Sequence, residues 1–225
     1  MPSVSNTVAQ TLQRRILDGQ YAVGSVLPGQ RELAERLGIS RTSLREAISM
    51  LEALGLLRSM AGKGVFVTAG TVPSTGELPP GPNAMPADAI FQMRFVVEPA
   101  GAALAARIRQ PDDLAELRGS MEAMTAALGS NDLVVAADSD LRFHLEIARL
   151  SGNPALAAMT RHFQSQLAHS LRLPFADRSR VWQPADEHMA ILSAIEAGDA
   201  ESARQAMRQH LLSAAARAGI RFIQP

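Results

Sequence analysis

The sequence predicts a mainly α-helical fold. An N-terminal winged helix-turn-helix domain, three helices plus a short β-hairpin wing, precedes a C-terminal all-α helical bundle. Three observations carry this. Residues 31 to 67 read as a helix, a tight turn, a second helix and a glycine-tipped hairpin. Residues 70–86, GTVPSTGELPPGPNAMP, have the Gly/Pro/Ser/Thr composition of a linker. Beyond them alanine, leucine and methionine dominate at helical spacing, with no alternating β-branched run. The expected division is residues 1–69 for DNA binding, 70–86 as linker and 87–225 as the helical domain.

The first helix is expected from about Asn6 to Asp18, where Val8, Leu12 and Ile16 share a face and Gly19 supplies a stop. In the second, Leu33, Ala34 and Leu37 fall on one side, and Gly38 offers the left-handed conformation that ends a helix. Ser40 then stands as N-cap of the third. There Leu44, Ala47, Ile48 and Leu51 form a stripe to be buried, while Arg41, Thr42, Arg45 and Ser49 occupy the other face. These polar side chains cluster toward the N-terminal turns, the end a recognition helix places in the major groove. An ordinary helical hairpin with a solvated charged face is the plainer alternative. After Gly55, Leu56 to Ser59 and Val65 to Val67 read as two strands around Ala61-Gly62-Lys63-Gly64. Lys63 is the only lysine in the chain, and it falls where a wing would touch the DNA backbone or minor groove.

At 225 residues the chain suits two modest domains. The formal net charge of zero hides an asymmetry. Up to Ala69 there are eight Arg or Lys against five Asp or Glu, so this part carries about +3 and the remainder about −3. Only the first part is built to meet a polyanion. The absence of cysteine excludes disulfides and thiolate metal sites. No apolar run is long enough to span a bilayer and no signal peptide is evident, so a soluble cytoplasmic protein without a membrane partner is expected.

In the second part, helices are expected near 87–109, 112–128, 131–150, 154–172, 178–197 and 200–221. Asp112 and Asp199 are candidate caps, and Asn153-Pro154 is an N-cap followed by proline in the first turn. Asp140 and His144 lie four residues apart, on one helical face, where a carboxylate and an imidazole can share a metal ion. Gly198-Asp199 reads as the turn of a helical hairpin. His188 lies ten residues before Gly198 and His210 twelve after it, which brings both to similar depth. Three imidazoles and one carboxylate suit a divalent ion: zinc first, with nickel, manganese or iron as alternatives. Separately satisfied polar residues inside a bundle are the plain alternative. His162 and His169 carry no signal that selects them as ligands.

The chain resembles the GntR family of bacterial transcription regulators, in the FadR subfamily with the all-helical FCD ligand-binding domain. The resemblance runs from about Val8 to Phe222. In the first half it rests on Leu27-Pro28, Arg31-Glu32-Leu33-Ala34, Leu37-Gly38-Ile39-Ser40-Arg41-Thr42, Leu44-Arg45-Glu46-Ala47, Leu51, Gly55-Leu56 and Gly62-Lys63-Gly64. In the second it rests on Arg94, Glu98, Asp140-Leu141-Arg142-Phe143-His144, Gly152-Asn153, Glu187-His188 and His210-Leu211.

The resemblance implies a homodimer on a roughly palindromic double-stranded operator, with affinity set by a small organic acid, a carboxylate or sugar acid. It also implies a divalent metal on Asp140, His144, His188 and His210, which helps to bind the acid. Arg94 resembles an effector-pocket arginine, and an ion pair with Glu98 one turn later explains it equally well. Arg31, Arg41 and Arg45 are expected on phosphates or guanines, with Ser40, Thr42 and Ser43 fixing register and Lys63 in the groove. Two departures from the family pattern, Gly29-Gln30 and Met60-Ala61, bear on operator choice. The expectation is a regulator and not an enzyme. Two competing readings are a metal-responsive regulator and a metalloenzyme with a DNA-binding appendage. The latter lacks an H-E-x-x-H motif, and Glu187, beside His188 in sequence, is expected on a different face.

Overall fold

The computed structural model describes residues 3–69 and 85–224. Most of the expected linker, 70–86, therefore lies outside the described residues. The chain forms α1 (Val4–Leu17), α2 (Gln30–Leu37), α3 (Arg41–Ala53), β1 (Leu57–Met60) and β2 (Gly64–Val67). There follow α4 (Ala87–Ile108), α5 (Ala115–Gly129), α6 (Leu133–Leu150), α7 (Pro154–His162), α8 (Gln164–Arg172), α9 (Gln183–Ala197) and α10 (Ala200–Arg217). The fold is the expected one: three helices and a two-stranded wing, then an all-helical bundle.

The turn between α2 and α3 forms as its residues dictate. Gly38 takes φ 65° at the end of α2, a conformation without steric cost only for glycine. Ser40 then accepts a hydrogen bond from the Ser43 amide, at 3.0 Å, to cap α3. Val8, Ala9 and Leu12 of α1 are buried with Leu44, Ala47, Ile48 and Leu51 of α3, so the apolar stripes of both helices are covered. β1 and β2 pair antiparallel in the register Leu57 with Val67 and Met60 with Gly64, which leaves Lys63 in the connecting turn.

In the bundle α4 packs mainly against α10, α5 against α6, and α9 against α10. Asn153 caps α7 by accepting from the amides of Ala155 and Leu156 at 3.0 and 3.4 Å. Replacing Asn153 by alanine should cost about 1 kcal/mol and lower the melting temperature by roughly 2–4 °C, measured by calorimetry. Asp199 caps α10 through the Ser202 amide at 3.0 Å.

Four boundaries differ from expectation. Asp112 is not the cap of α5: Pro111 opens a 3-10 turn to Leu114, and α5 begins only at Ala115, with Leu114 at its N-cap position. The helix expected over 154–172 breaks at Phe163 (φ −92°, ψ 14°), whose side chain packs with Leu167 and Leu171 against Ile90 and Leu141. The helix expected from 178 begins at Gln183, because Pro184 lacks an amide hydrogen and is tolerated only in a first turn. The last helix stops at Arg217 and not at 221, with Gly219 at φ 68° and the Ile220 amide returning to the Ala215 carbonyl.

The two parts share one apolar core and a polar seam. Gln13 of α1 is 2 % exposed and inserts at the N-terminus of α6. It donates to Asp132 at 3.0 Å and accepts from the Val134 amide at 3.2 Å. Asn6 of α1 donates to Asp138 of α6. Gly55, at φ 68° after α3, meets Ala176 so closely that a Cβ there would lie 3.1 Å from the alanine methyl.

Candidate metal centre and nucleic-acid interface

The predicted DNA-contacting residues lie on α2, α3 and the wing. Arg31, Ser40, Arg41, Thr42, Arg45 and Lys63 are exposed, and Ser43 is half-buried beneath the Ser40 hydroxyl at 2.9 Å. Arg31 is held by Glu35 one turn on, at 3.1 Å. Arg41, Arg45 and Lys63 have no ion-pair or hydrogen-bond partner for their side chains among the described residues, so their donors face solvent.

The second site forms where α4, α6, α9 and α10 face one another. Asp140 and His144 project from α6, His188 from α9 and His210 from α10, and all four are buried. The ligating nitrogens of the three histidines lie within 4.8 Å of one another. His144 and His188 bring their Nε2 atoms to 3.2 Å, and Asp140 Oδ1 lies 3.0 Å from His188 Nε2 and 3.2 Å from His144 Nε2. The His188 and His210 rings lie 4.5 Å apart between centres, tilted at 57°, at the equal depth that their spacing about Gly198 implies.

What lies behind each ring shows why these atoms converge. His188 Nδ1 sits 2.5 Å from the Pro184 carbonyl, His210 Nδ1 2.9 Å from Glu187 Oε2, and His144 Nδ1 2.8 Å from Glu98 Oε2, the last off the line of a good hydrogen bond. Each Nδ1 has an acceptor behind it, which leaves Nε2 turned inward. His210 Nε2 and Asp140 Oδ1 are buried without a hydrogen-bond partner. Orphaned buried lone pairs are costly unless something electron-poor meets them. A three-nitrogen, one-oxygen donor set with facing lone pairs fits a divalent cation.

The electrostatics agree with that donor set. Burial opposes ionisation of Asp140, yet the neighbouring His188 and His144 hold its carboxyl well below the usual range. Burial likewise opposes charge on Glu98, but Arg94 and His144 hold it at about 2. Burial, then repulsion from His188, pushes His210 down to about 3 and keeps it neutral, the form that ligates. For His144 burial opposes the charged ring, but Glu98 and Asp140 together raise its basicity.

Arg94 is 1 % exposed and fully engaged: Nε donates to Glu98 at 2.8 Å, and Nη2 lies 3.3 Å from His144 Nε2. The ion pair with Glu98 is thus present, and the same guanidinium borders the centre. Glu187 points to a different face from His188, as expected, yet it is not remote from the centre. α9 and α10 are antiparallel neighbours, so a side chain pointing away from the His188 direction still meets α10, and there it reaches His210. Among residues the spacing argument missed are Phe143, whose ring lies edge-on to His188 at 4.5 Å, and Arg217 behind Glu187. For Glu187 a signal existed, since it lies eleven residues before Gly198 and His210 lies twelve after.

Residues 4–67 match the model of bacterial regulatory proteins of the gntR family, and residues 89–213 match the FCD domain. A protein of Escherichia coli K12 assigned as regulator of the L-lactate dehydrogenase operon is 34 % identical, over 92 % of this chain and 83 % of its own. The chain belongs to the GntR family. The Uxu operon regulator of Haemophilus influenzae is 32 % identical over 91 % of this chain and 77 % of its own. A solved GntR protein of Streptococcus agalactiae aligns at a TM-score of 0.50 with 25 % identity, covering 93 % of this chain and 98 % of that one.

This GntR protein is a transcription regulator and not an enzyme, and its helix-turn-helix domain is of the type that binds operator DNA. Its departures from the family pattern have structural counterparts. Gly29 is the N-cap of α2 and makes no side-chain capping bond, and Met60 closes β1 beside the wing turn. Beside the centre, Val97, Gly101, Ile147, Leu156 and Met207 wall a pocket that Glu98, His144 and Thr160 complete. It has room for little more than the centre of one water-sized molecule, about 10 Å³. No helix among the described residues is long and apolar enough to cross a membrane.

Proposed function

We propose that this regulator acts in the cytoplasm as a homodimer on a roughly palindromic operator, and that a small organic acid bound beside a divalent metal sets its operator affinity. The observation that carries the reading is the convergence of Asp140, His144, His188 and His210 on inward lone pairs, two of them orphaned. Those four residues would hold the metal, zinc first. When bound it supplies a positive charge that attracts a carboxylate. Arg94 borders the same space, and its fork can grip an acid with two parallel bonds if Glu98 yields part of its claim. The relative named for an L-lactate dehydrogenase operon supports an acid as the class of effector.

At the DNA, Arg41 and Arg45 project from adjacent turns of α3 with Thr42 between them, and Lys63 stands at the wing. Arg31 is added from α2, while Ser40 and Ser43 fix register. Replacing Arg45 by alanine should relax base preference by roughly 1–3 kcal/mol at the contacted position, beyond a uniform loss of affinity. Selection of binding sites from randomised duplexes by parent and variant checks it. Unchanged preference and affinity would remove Arg45 from the groove.

The decisive experiment for the switch is a thermal-shift screen of zinc-loaded protein against small carboxylates and sugar acids, with Arg94→Ala in parallel. A parent that responds to an acid, with a weaker response in the variant, supports the pocket. No response in the parent, or equal responses in both, removes it. Titrating zinc alone against operator-bound protein tests the metal as signal, since a metal sensor changes its DNA affinity without any acid.

A further inference from the structure

We infer that Glu187, gripped by Arg217, is a positioning residue for the centre: it fixes the tautomer and orientation of His210 so that Nε2 faces the metal. The inference rests on the metal reading above and adds two residues to it.

The geometry is a three-member chain. Arg217 is 3 % exposed, and its fork donates to both carboxylate oxygens of Glu187, Nη1 to Oε1 at 2.6 Å and Nη2 to Oε2 at 2.8 Å. The Gln183 amide oxygen accepts a further bond from Nη1 at 3.3 Å. Oε2 of Glu187 also faces His210 Nδ1 at 2.9 Å. A neutral imidazole carries one N–H, on either nitrogen. An ionised carboxylate only accepts, so it draws that hydrogen to Nδ1 and leaves the lone pair on Nε2. The two parallel bonds from the Arg217 fork hold Glu187 as an acceptor.

His210 needs this more than its neighbours do. His188 has a backbone carbonyl behind Nδ1, which no side-chain rotation can withdraw. His210, in the middle of α10, instead has its outer nitrogen met by the Glu187 side chain, reaching across from α9. The simplest competing account is that the Arg217–Glu187 pair merely staples α9 to α10. The bidentate fork alone would do that, and the third contact to His210 would then be incidental.

Zinc affinity measured by competition with a chromophoric chelator separates the two accounts. The variants are Glu187→Gln and, as a control on the same helix, Glu196→Gln, which breaks the exposed ion pair with Arg118. Melting of chelator-treated samples reports any loss of the staple. Glu187→Gln should weaken zinc binding about 10- to 100-fold and alter the visible bands of the cobalt-loaded protein, while Glu196→Gln leaves both unchanged. An affinity within about threefold of the parent, even with lowered melting, overturns the assignment and leaves the staple. Should Glu187→Gln not fold, Arg217→Lys decides by the same criterion, because it keeps the charge and loses the fork. A parent that binds neither zinc nor cobalt overturns the metal reading itself, a result distinct from failure of Glu187 alone.

Discussion

Exchanging His188, a proposed zinc ligand, for alanine should lower zinc affinity on the order of 100- to 1000-fold. The scale follows from the roughly 10–16 kcal/mol that a four-ligand zinc site supplies, about 2.5–4 kcal/mol per ligand, at 1.4 kcal/mol for each tenfold change. His188 is the ligand whose loss should be felt most. It is fully buried, and its Nε2 stands between Asp140 Oδ1 at 3.0 Å and His144 Nε2 at 3.2 Å. Its Nδ1 is fixed by the Pro184 carbonyl, so no neighbouring group can take its place without moving α9. Asp140→Asn should act in the same direction through loss of charge at nearly constant shape. His162→Ala, on α7, should leave affinity unaltered. Chelator competition gives all three, and a His188→Ala protein that retains parental affinity removes the proposed centre.

Phe143→Ala should destabilise the helical bundle by about 3–5 kcal/mol, the range for emptying a buried phenylalanine site. For a chain of this size that corresponds to a melting temperature lower by roughly 6–20 °C. The ring is wholly buried and lies edge-on to His144 and His188, with centres 5.9 and 4.5 Å apart. Its removal therefore leaves a cavity against two ligand rings at once, and zinc binding should weaken along with stability. Calorimetry with and without chelator separates the two effects. Trp182→Ala, at a ring that is 48 % exposed, should change stability within about 0.5 kcal/mol. A fall of less than 1 kcal/mol for Phe143→Ala would mean that the site collapses freely and that the ring does not brace the histidines.

The parts of the fold legible in sequence are those with local causes. Gly38 and Ser40 mark the helix-turn-helix because a left-handed residue and a hydroxyl cap act within one turn. The pairing of His188 with His210 was legible because both are counted from one stop, Gly198, and a regular rise carries the count across the hairpin. Phe163 is different. Nothing in its neighbours forbids a helix, and the break follows from packing against Ile90 and Leu141, far away in sequence. The late start of α9 had a local cause, Pro184, that the helical pattern alone did not weigh. The face of Glu187 was legible from its own helix, but its contact with His210 was not, because that depends on the helix opposite. Gln13 and Asp132 are separated by 119 positions, and no spacing rule connects them.

The insertion of Gln13 at the start of α6 has a mechanical consequence. From Asp132 to His144 the helix rises about 18 Å at 1.5 Å per residue, with the DNA-binding domain pinned at one end and two candidate ligands at the other. A rod of that length tilted by 5° about its histidine end sweeps its far end through roughly 1.6 Å. A hydrogen bond to a base edge tolerates only a few tenths of an ångström about its 2.7–3.2 Å optimum. Small adjustments at the proposed metal centre would thus have a lever long enough to matter where Arg41 and Arg45 are presented.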